Sequence, residues 1–271
     1  MPKLLRRTTS TRPAARPALG LPKLTKRDKQ RQTSRILVKL SGEFLGNPKD
    51  KISANNPLNF FISQIKDIKK NTQLEIAVVI GAGNIVRGLN AQKLGLDRYT
   101  SDYMGMIGTL INALHLKNIL RQNSIKSSIM SALEIKNICP LFYKERALKF
   151  LERGDVVILA GGTGNPYFST DTAAALRAVE LNVDILLKAT KVDGVYDCDP
   201  MINPKAKKFK QLTYQQVLEK NLKVMDLTAI SLCKENNIPI IVCDIKNPHS
   251  IKKILKGEKV GTLITNSKIK S

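Results

Sequence analysis

Four short stretches concentrate the residues able to do chemistry: Lys39–Gly42, Gly81–Arg87, Gly161–Asp171 and Lys188–Asp199. Their inventory is lysines, one arginine, glycine-rich backbone and several carboxylates. Ammonium and guanidinium groups neutralise phosphate oxygens, glycine N–H groups hold them, and carboxylates hold magnesium or orient lysines. That set suits phosphoryl transfer, whose transition state needs positioning and charge neutralisation more than covalent chemistry. The third stretch, Gly161-Gly162-Thr163-Gly164-Asn165-Pro166-Tyr167-Phe168-Ser169-Thr170-Asp171, runs from a buried-looking strand into a helix. It reads either as an anion-holding helix start or as an ordinary cap after a strand–helix loop. Other chemistries lack their residues. Cys139, Cys198, Cys233 and Cys243 form no CxxC pair and, with His115 and His249, no zinc spacing. There is no GxSxG elbow, no HExxH helix and no GxxxxGK[ST] phosphate loop.

Each of these stretches follows a run that reads as a strand. Arg35–Leu40 and Leu74–Ile80 are nearly continuous in apolar character, as are Asp155–Ala160 and Asp184–Thr190. A short strand at 127–131 and closing strands at Pro239–Cys243 and Gly261–Thr265 complete the set. Helical spacing predicts helices over 57–70, 102–122, 143–153, from Thr172, and over 214–220, 226–236 and 248–256. Strands alternating with helices imply an α/β fold with a mostly parallel sheet covered on both faces. Ligands then bind along the edge where the strands' carboxyl ends meet, which is where all four polar stretches fall. The helix at 102–122 is apolar on two faces, Met104, Ile107, Ile111 and Leu114 on one, and Met106, Leu110, Ala113, Leu116 and Leu120 on the other. Such a helix is sandwiched or shared between subunits. Asp102 at its start is a helix cap or a ligand group; His115 reads as packing.

Of the net charge of +23, residues 1–35 hold 11 Lys/Arg against the single acid Asp28, and the rest carries 34 Lys/Arg against 21 Asp/Glu. A basic surface suits anionic ligands, although a merely Lys-rich exterior accounts for the body of the chain. Residues 1–34 are rich in Pro, Arg, Thr, Ser and Ala and are expected to be a disordered basic extension to a kinase-like domain at 35–271. The extension fits an organelle transit peptide, a misplaced start codon or a basic tail. Cysteine usage suits a reducing, cytoplasmic compartment, and no apolar run reaches membrane-spanning length.

Six ordered motifs carry a specific resemblance: Lys39-Leu-Ser-Gly-Glu43, Gly81-Ala-Gly-Asn-Ile-Val-Arg-Gly88, Asp102-Tyr-Met-Gly-Met106, Thr163-Gly-Asn-Pro-Tyr-Phe-Ser-Thr-Asp171, Lys188-Ala-Thr-Lys-Val-Asp-Gly-Val-Tyr196 and Leu222-Lys-Val-Met-Asp226. Over about residues 35–265 their order resembles that of the bacterial uridylate (UMP) kinases, within the amino-acid kinase superfamily. The resemblance implies a three-layer αβα sandwich. It also implies Mg²⁺-dependent phosphorylation of UMP by ATP in pyrimidine nucleotide biosynthesis, and a homohexamer activated by GTP and inhibited by UTP. It assigns Lys39, Leu40, Ser41, Gly42, Gly83, Arg87, Thr190, Tyr196 and Asp199 to ATP. It assigns Ala82, Asp102, Thr163, Gly164, Asn165, Pro166, Tyr167, Phe168, Ser169 and Thr170 to UMP. Lys39, Arg87 and Lys188 would be the neutralising cations, with Asp171 orienting the lysines or the magnesium; no metal ligand is assigned. One departure stands out: Gly81-Ala82-Gly83 has a methyl where the family usually has glycine. It crowds the acceptor site if φ at 82 is positive and is harmless otherwise. Aspartokinase-like or acetylglutamate kinase-like carboxylate chemistry is the rival within the superfamily. A nucleic-acid-binding protein on a retained kinase fold is the rival outside it, but no nucleic-acid-binding signature occurs.

Overall fold

The computed structural model describes residues 34–46, 56–86, 95–247 and 249–267. The expected disordered extension, apart from Ser34, lies outside these residues, and so does Arg87.

The first strand, β1 (Arg35–Leu40), leads through a short 3₁₀ turn (Gly42–Leu45) to α1 (Pro57–Asn71) and β2 (Glu75–Ile80). The long helix α2 (Arg98–Gln122), β3 (Ser127–Ser131), α3 (Lys144–Glu152), β4 (Val156–Ala160) and α4 (Thr170–Glu180) follow. Next come β5 (Ile185–Thr190), a two-stranded ribbon of β6 (Val195–Tyr196) and β7 (Lys208–Phe209), and β8 (Gln211–Thr213). Helices α5 (Tyr214–Glu219) and α6 (Leu227–Glu235), then β9 (Ile240–Asp244), α7 (Ser250–Leu255) and β10 (Thr262–Thr265), close the chain.

Eight strands form one sheet in the order β3-β4-β2-β1-β5-β9-β10-β8. All its pairings are parallel except β9 with β10. Period-two alternation divides the core into two layers. Ile36, Val38 and Leu40 of β1 and Ile76, Val78 and Ile80 of β2 pack with apolar residues of α1, α2 and α7. Leu37, Ala77 and Val79 point the other way, toward α3, α4, α5 and α6. The buried alanines Ala173, Ala174, Ala175 and Ala178 let α4 lie close on the central strands. At the opposite edge from the polar stretches, the backbone N–H of Arg35 donates to Asp184 Oδ2 at 2.6 Å and its guanidinium pairs with Glu75. This fastens the starts of β1, β2 and β5 together. The expected αβα layering with a mostly parallel sheet is therefore present.

Three expectations need correction. The long helix begins at Arg98 rather than 102, capped by Asp97, whose carboxylate accepts from Thr100 N at 2.7 Å. Asp102 consequently lies inside the helix and is no cap. Of the two alternatives for that helix, sandwiching within the chain does not hold and sharing between subunits stays open: Met106, Leu110, Ala113, Leu116 and Leu120 are buried, whereas Met104 (40% exposed), Ile107 (48%), Ile111 (50%) and Leu114 (41%) face outward. Finally, β6, β7 and β8 add strands where none was expected, because strands of two or three residues carry no usable periodicity.

Candidate active site

The carboxyl ends of β1 and β5 supply the centre of the site. These strands run parallel with Lys39 directly paired to Lys188, so both side chains leave the sheet on the same face, the one covered by α4. Two neighbouring ammonium groups repel, and the chain places one carboxylate between them. Asp171 stands in the first turn of α4, where the helix dipole also favours a negative charge. Its Oδ1 lies 2.9 Å from Lys39 Nζ and its Oδ2 lies 2.7 Å from Lys188 Nζ. Burial opposes ionisation of Asp171, but the charges of Lys39 and Lys188 outweigh it and hold the carboxyl below the ordinary range. Lys188 is shifted down as well, first by burial and then by the charge of Lys39, with Asp171 opposing. Lys188 also donates to the carbonyl of Val224. Asp171 Oδ1 is buried, with the ion pair to Lys39 as its contact.

Around this centre lie three glycine turns. Gly42 follows β1, with Ser41 Oγ accepting from Glu43 N at 3.3 Å. Leu40 is fully buried and offers the site only its backbone. Gly81 follows β2, its N–H bonded to Leu40 O at 3.0 Å. A Cβ on Gly81 would sit 3.4 Å from Gly42 N and 3.5 Å from Thr170 Oγ1, which shows how tightly the turns converge. A Cβ on Gly83 would meet nothing within 4 Å, so this residue borders open space. Ala82 does not have positive φ, and its methyl is directed at Gly108 of α2 instead of into the crevice. The departure from the three-glycine pattern is accommodated by a second glycine.

The third turn joins β4 to α4. Gly161, Gly162 and Gly164 adopt φ of +77°, +58° and +87°. Thr163 Oγ1 accepts from Asn165 N and donates to Asn165 O, which folds the loop back on itself. Ser169 caps α4 by accepting from Asp171 N and Thr172 N. Asp102, reaching from α2, accepts the backbone N–H of Tyr167 at 2.6 Å through Oδ2. Arg98 stands 3.5 Å from that oxygen and lies over the Tyr167 ring. Asp102 and Thr163–Thr170 are thus brought together, with Tyr167 and Phe168 exposed beside Pro166.

Thr190, Tyr196 and Asp199 lie on the β5 side. Thr190 ends β5 with its hydroxyl bonded to Val192 O. Tyr196 donates to Asp193 Oδ1 at 2.6 Å, and Asp199 Oδ1 accepts Met201 N at 2.8 Å. This loop is tied to the turn after β1 by Lys191 Nζ and Glu43 Oε2, 2.6 Å apart. Sequence reasoning left Asp226 without a role. It caps α6 through Ala229 N and accepts from both Ser169 and Thr172, clamping the start of α4. Sequence reasoning also gave no role to Asn84, in the turn after β2, or to Thr109 and Asn112 on the buried face of α2.

Comparison with known proteins agrees with this geometry. The Amino acid kinase family matches residues 34–244. A curated uridylate kinase of Parabacteroides distasonis is 45% identical over 235 residues, covering 87% of this chain and 99% of that protein. Among solved structures, UMP kinase from Ureaplasma parvum is 38% identical with a TM-score of 0.78, over 87% of this chain and 100% of that one. UMP kinase from Bacillus anthracis is 34% identical with a TM-score of 0.81, over 87% and 97%. The chain belongs to the amino acid kinase family.

Proposed function

We propose that the chain phosphorylates UMP to UDP at the expense of ATP, within pyrimidine nucleotide biosynthesis. The observation that carries this reading is Asp171 held between Lys39 and Lys188 at the mouth of three glycine turns. The near full-length likeness to uridylate kinases supports UMP as acceptor over a carboxylate substrate.

In this mechanism the γ-phosphoryl group passes in line from ADP's β-phosphate oxygen to a UMP phosphate oxygen. Lys39 and Lys188 neutralise the equatorial oxygens, and Arg87 adds a third cation. Asp171 fixes both ammonium groups in advance, so little reorganisation is needed as charge develops. Backbone N–H groups at Gly42 and Gly83, with Ser41, hold the ATP phosphates. Thr190, Tyr196 and Asp199 border the ATP nucleoside. Ala82, Asp102 and Thr163–Thr170 enclose UMP.

Among the described residues no cluster of three or more His, Cys, Asp or Glu could cage a metal. Mg²⁺ normally keeps several waters and binds through substrate phosphates with one or two carboxylates. That requirement fits a site offering a single carboxylate, Asp171, whose Oδ1 is shared with the Lys39 ammonium. Asp171 would hold magnesium, which would supply charge neutralisation on the ATP phosphates.

The exposed stripe of Met104, Ile107, Ile111 and Leu114 supports self-association through α2, within a homohexamer whose effectors are GTP and UTP. The free cysteines suit a cytoplasmic, reducing location, with an organelle as the alternative if residues 1–34 are a targeting segment. Among the described residues no helix is long and apolar enough to cross a membrane. The family match begins at residue 34, which supports treating 1–34 as an extension.

The assignment is tested with Asp102→Asn. The KM for UMP should rise far more than that for ATP; equal effects on the two substrates would contradict the role given to Asp102.

A further inference from the structure

The three glycine turns end three different strands, yet all are fixed to one helix. Asn112 of α2 is 2% exposed and Thr109 is 4% exposed, on a face otherwise built from Leu110, Ala113 and Leu116. A buried amide or hydroxyl is costly unless its hydrogen bonds are made. Here the partners are the turns themselves. Asn112 Nδ2 donates to Gly81 O at 2.7 Å and to Asn84 Oδ1 at 2.8 Å. Asn84 Nδ2 returns a bond to Asn112 Oδ1 at 3.2 Å and reaches Gly46 O at 3.0 Å, beyond the 3₁₀ turn. Gly42 lies directly against this amide pair: a Cβ there would collide with Asn84 Oδ1 and Gly81 O and stand 2.9 Å from Asn112 Nδ2. One turn of helix earlier, Thr109 Oγ1 donates its single proton to Met106 O at 2.6 Å and accepts the N–H of Gly161 at 2.8 Å. The hydroxyl is thereby fixed as an acceptor for the first residue of the third turn.

We infer that Thr109 and Asn112 are positioning residues, through which α2 holds the acceptor loop and the ATP-phosphate turns at fixed spacing. The inference rests on the function proposed above. Neither side chain touches a reacting atom. Asn112, with Asn84, sets the turns at 42 and 81–83; Thr109 sets Gly161 and the loop leading to Asp171. An ångström of drift in such turns is enough to cost a large factor in rate. Thr109 therefore acts on the UMP side, whereas Asn112 acts mainly on the ATP-phosphate turns and reaches UMP only through Ala82, a division that a general loss of stability would not produce.

Thr109→Val keeps the shape of the side chain, removes the acceptor and leaves the Gly161 N–H unpaired. With UMP and ATP varied separately, the KM for UMP should rise about tenfold while that for ATP stays within about twofold. Thr109→Ser should restore the UMP value to within about twofold. Asn112→Leu should show the opposite split, with ATP the more affected. Unchanged constants for Thr109→Val would overturn the inference, as would equal losses for both substrates. Should Thr109→Val not fold, amide exchange in the unmodified enzyme decides: Gly161 N–H exchanging as slowly as the amides of β4 supports the bond, and fast exchange overturns it. Absence of UMP turnover by the unmodified enzyme would remove the proposed function and this inference together. UMP turnover with an indifferent Thr109→Val would remove only the inference.

Discussion

Replacing Gly108 by alanine ordinarily stabilises a helix, by about 1 kcal/mol in an exposed interior position. In α2 the opposite is expected. A Cβ at 108 would stand 2.9 Å from the Cβ of Ala82, closer than two methyl carbons pack, and 3.7 Å from Ile85 Cβ, an ordinary contact. Ala82 is only 7% exposed and sits in a turn whose neighbours, Gly81 and Asn84, are hydrogen-bonded to Asn112. The clash therefore cannot be relieved by rotating a flexible side chain; the turn or the helix must move. Overpacking of this kind costs about 1–3 kcal/mol, which offsets the helix gain and leaves Gly108→Ala neutral to about 2 kcal/mol destabilising. Ala82→Gly alone should cost about 1–2 kcal/mol, from the lost methyl contact and the extra freedom of the unfolded turn. The double variant moves one methyl from one side of the contact to the other. It should recover close to the parent stability, with a coupling energy of about 1–4 kcal/mol. Urea unfolding of all four proteins measures this cycle, and UMP kinetics reports whether the turn has moved. Additive effects, or a Gly108→Ala protein more stable than its parent, would refute the claim that Gly108 exists to admit the Ala82 methyl.

Two further outcomes follow from the site and the outer face of α2. Because burial and Lys39 hold Lys188 below its ordinary 10.5 in the free enzyme, the alkaline limb of kcat/KM should fall at a pH below 10.5. Over that range the folded state binds fewer protons than the unfolded one, so Lys188's own contribution to stability improves as pH rises, and activity and stability move in opposite directions. Asp171, held below 3.8, behaves conversely: its stabilising contribution is complete above 3.8 and is lost only as pH falls through its lower folded value. Rate profiles and unfolding curves at matched pH check both signs, and an alkaline limb at or above 10.5 would contradict the first. On the other face, if the chain self-associates through α2 as proposed, Ile111→Asp should lower the mass found by sedimentation; an unchanged mass would remove α2 from the proposed interface.

Much of this architecture was legible in the residues because it depends on local pattern. Ile76 to Ile80 is apolar throughout and Ile36 to Leu40 is apolar but for Lys39, as strands buried on both faces must be, and each ends in a glycine turn that places the crevice. The alanines after Asp171 signal a helix lying close to a sheet. What the pattern concealed was non-local. Nothing near Lys39 says that Lys188 is its register partner, nor that Asp171 stands between them. The start of α2 was hidden because Arg98-Tyr99-Thr100-Ser101 has no apolar period, and only Asp97 announces the cap. Thr109 and Asn112 escaped notice since a helix apolar on two sides gives no simple rule for which polar positions are buried. The Ala82 methyl is tolerated, as expected, but the glycine that admits it, Gly108, lies on another element and no local pattern connects the two.

The most direct test of the central claim is a coupled ADP-release assay with Mg²⁺ and ATP, offering UMP, CMP, aspartate and N-acetylglutamate in turn. The account predicts turnover with UMP and none with the two carboxylates. No turnover with UMP, or turnover with aspartate or N-acetylglutamate in its place, would contradict it.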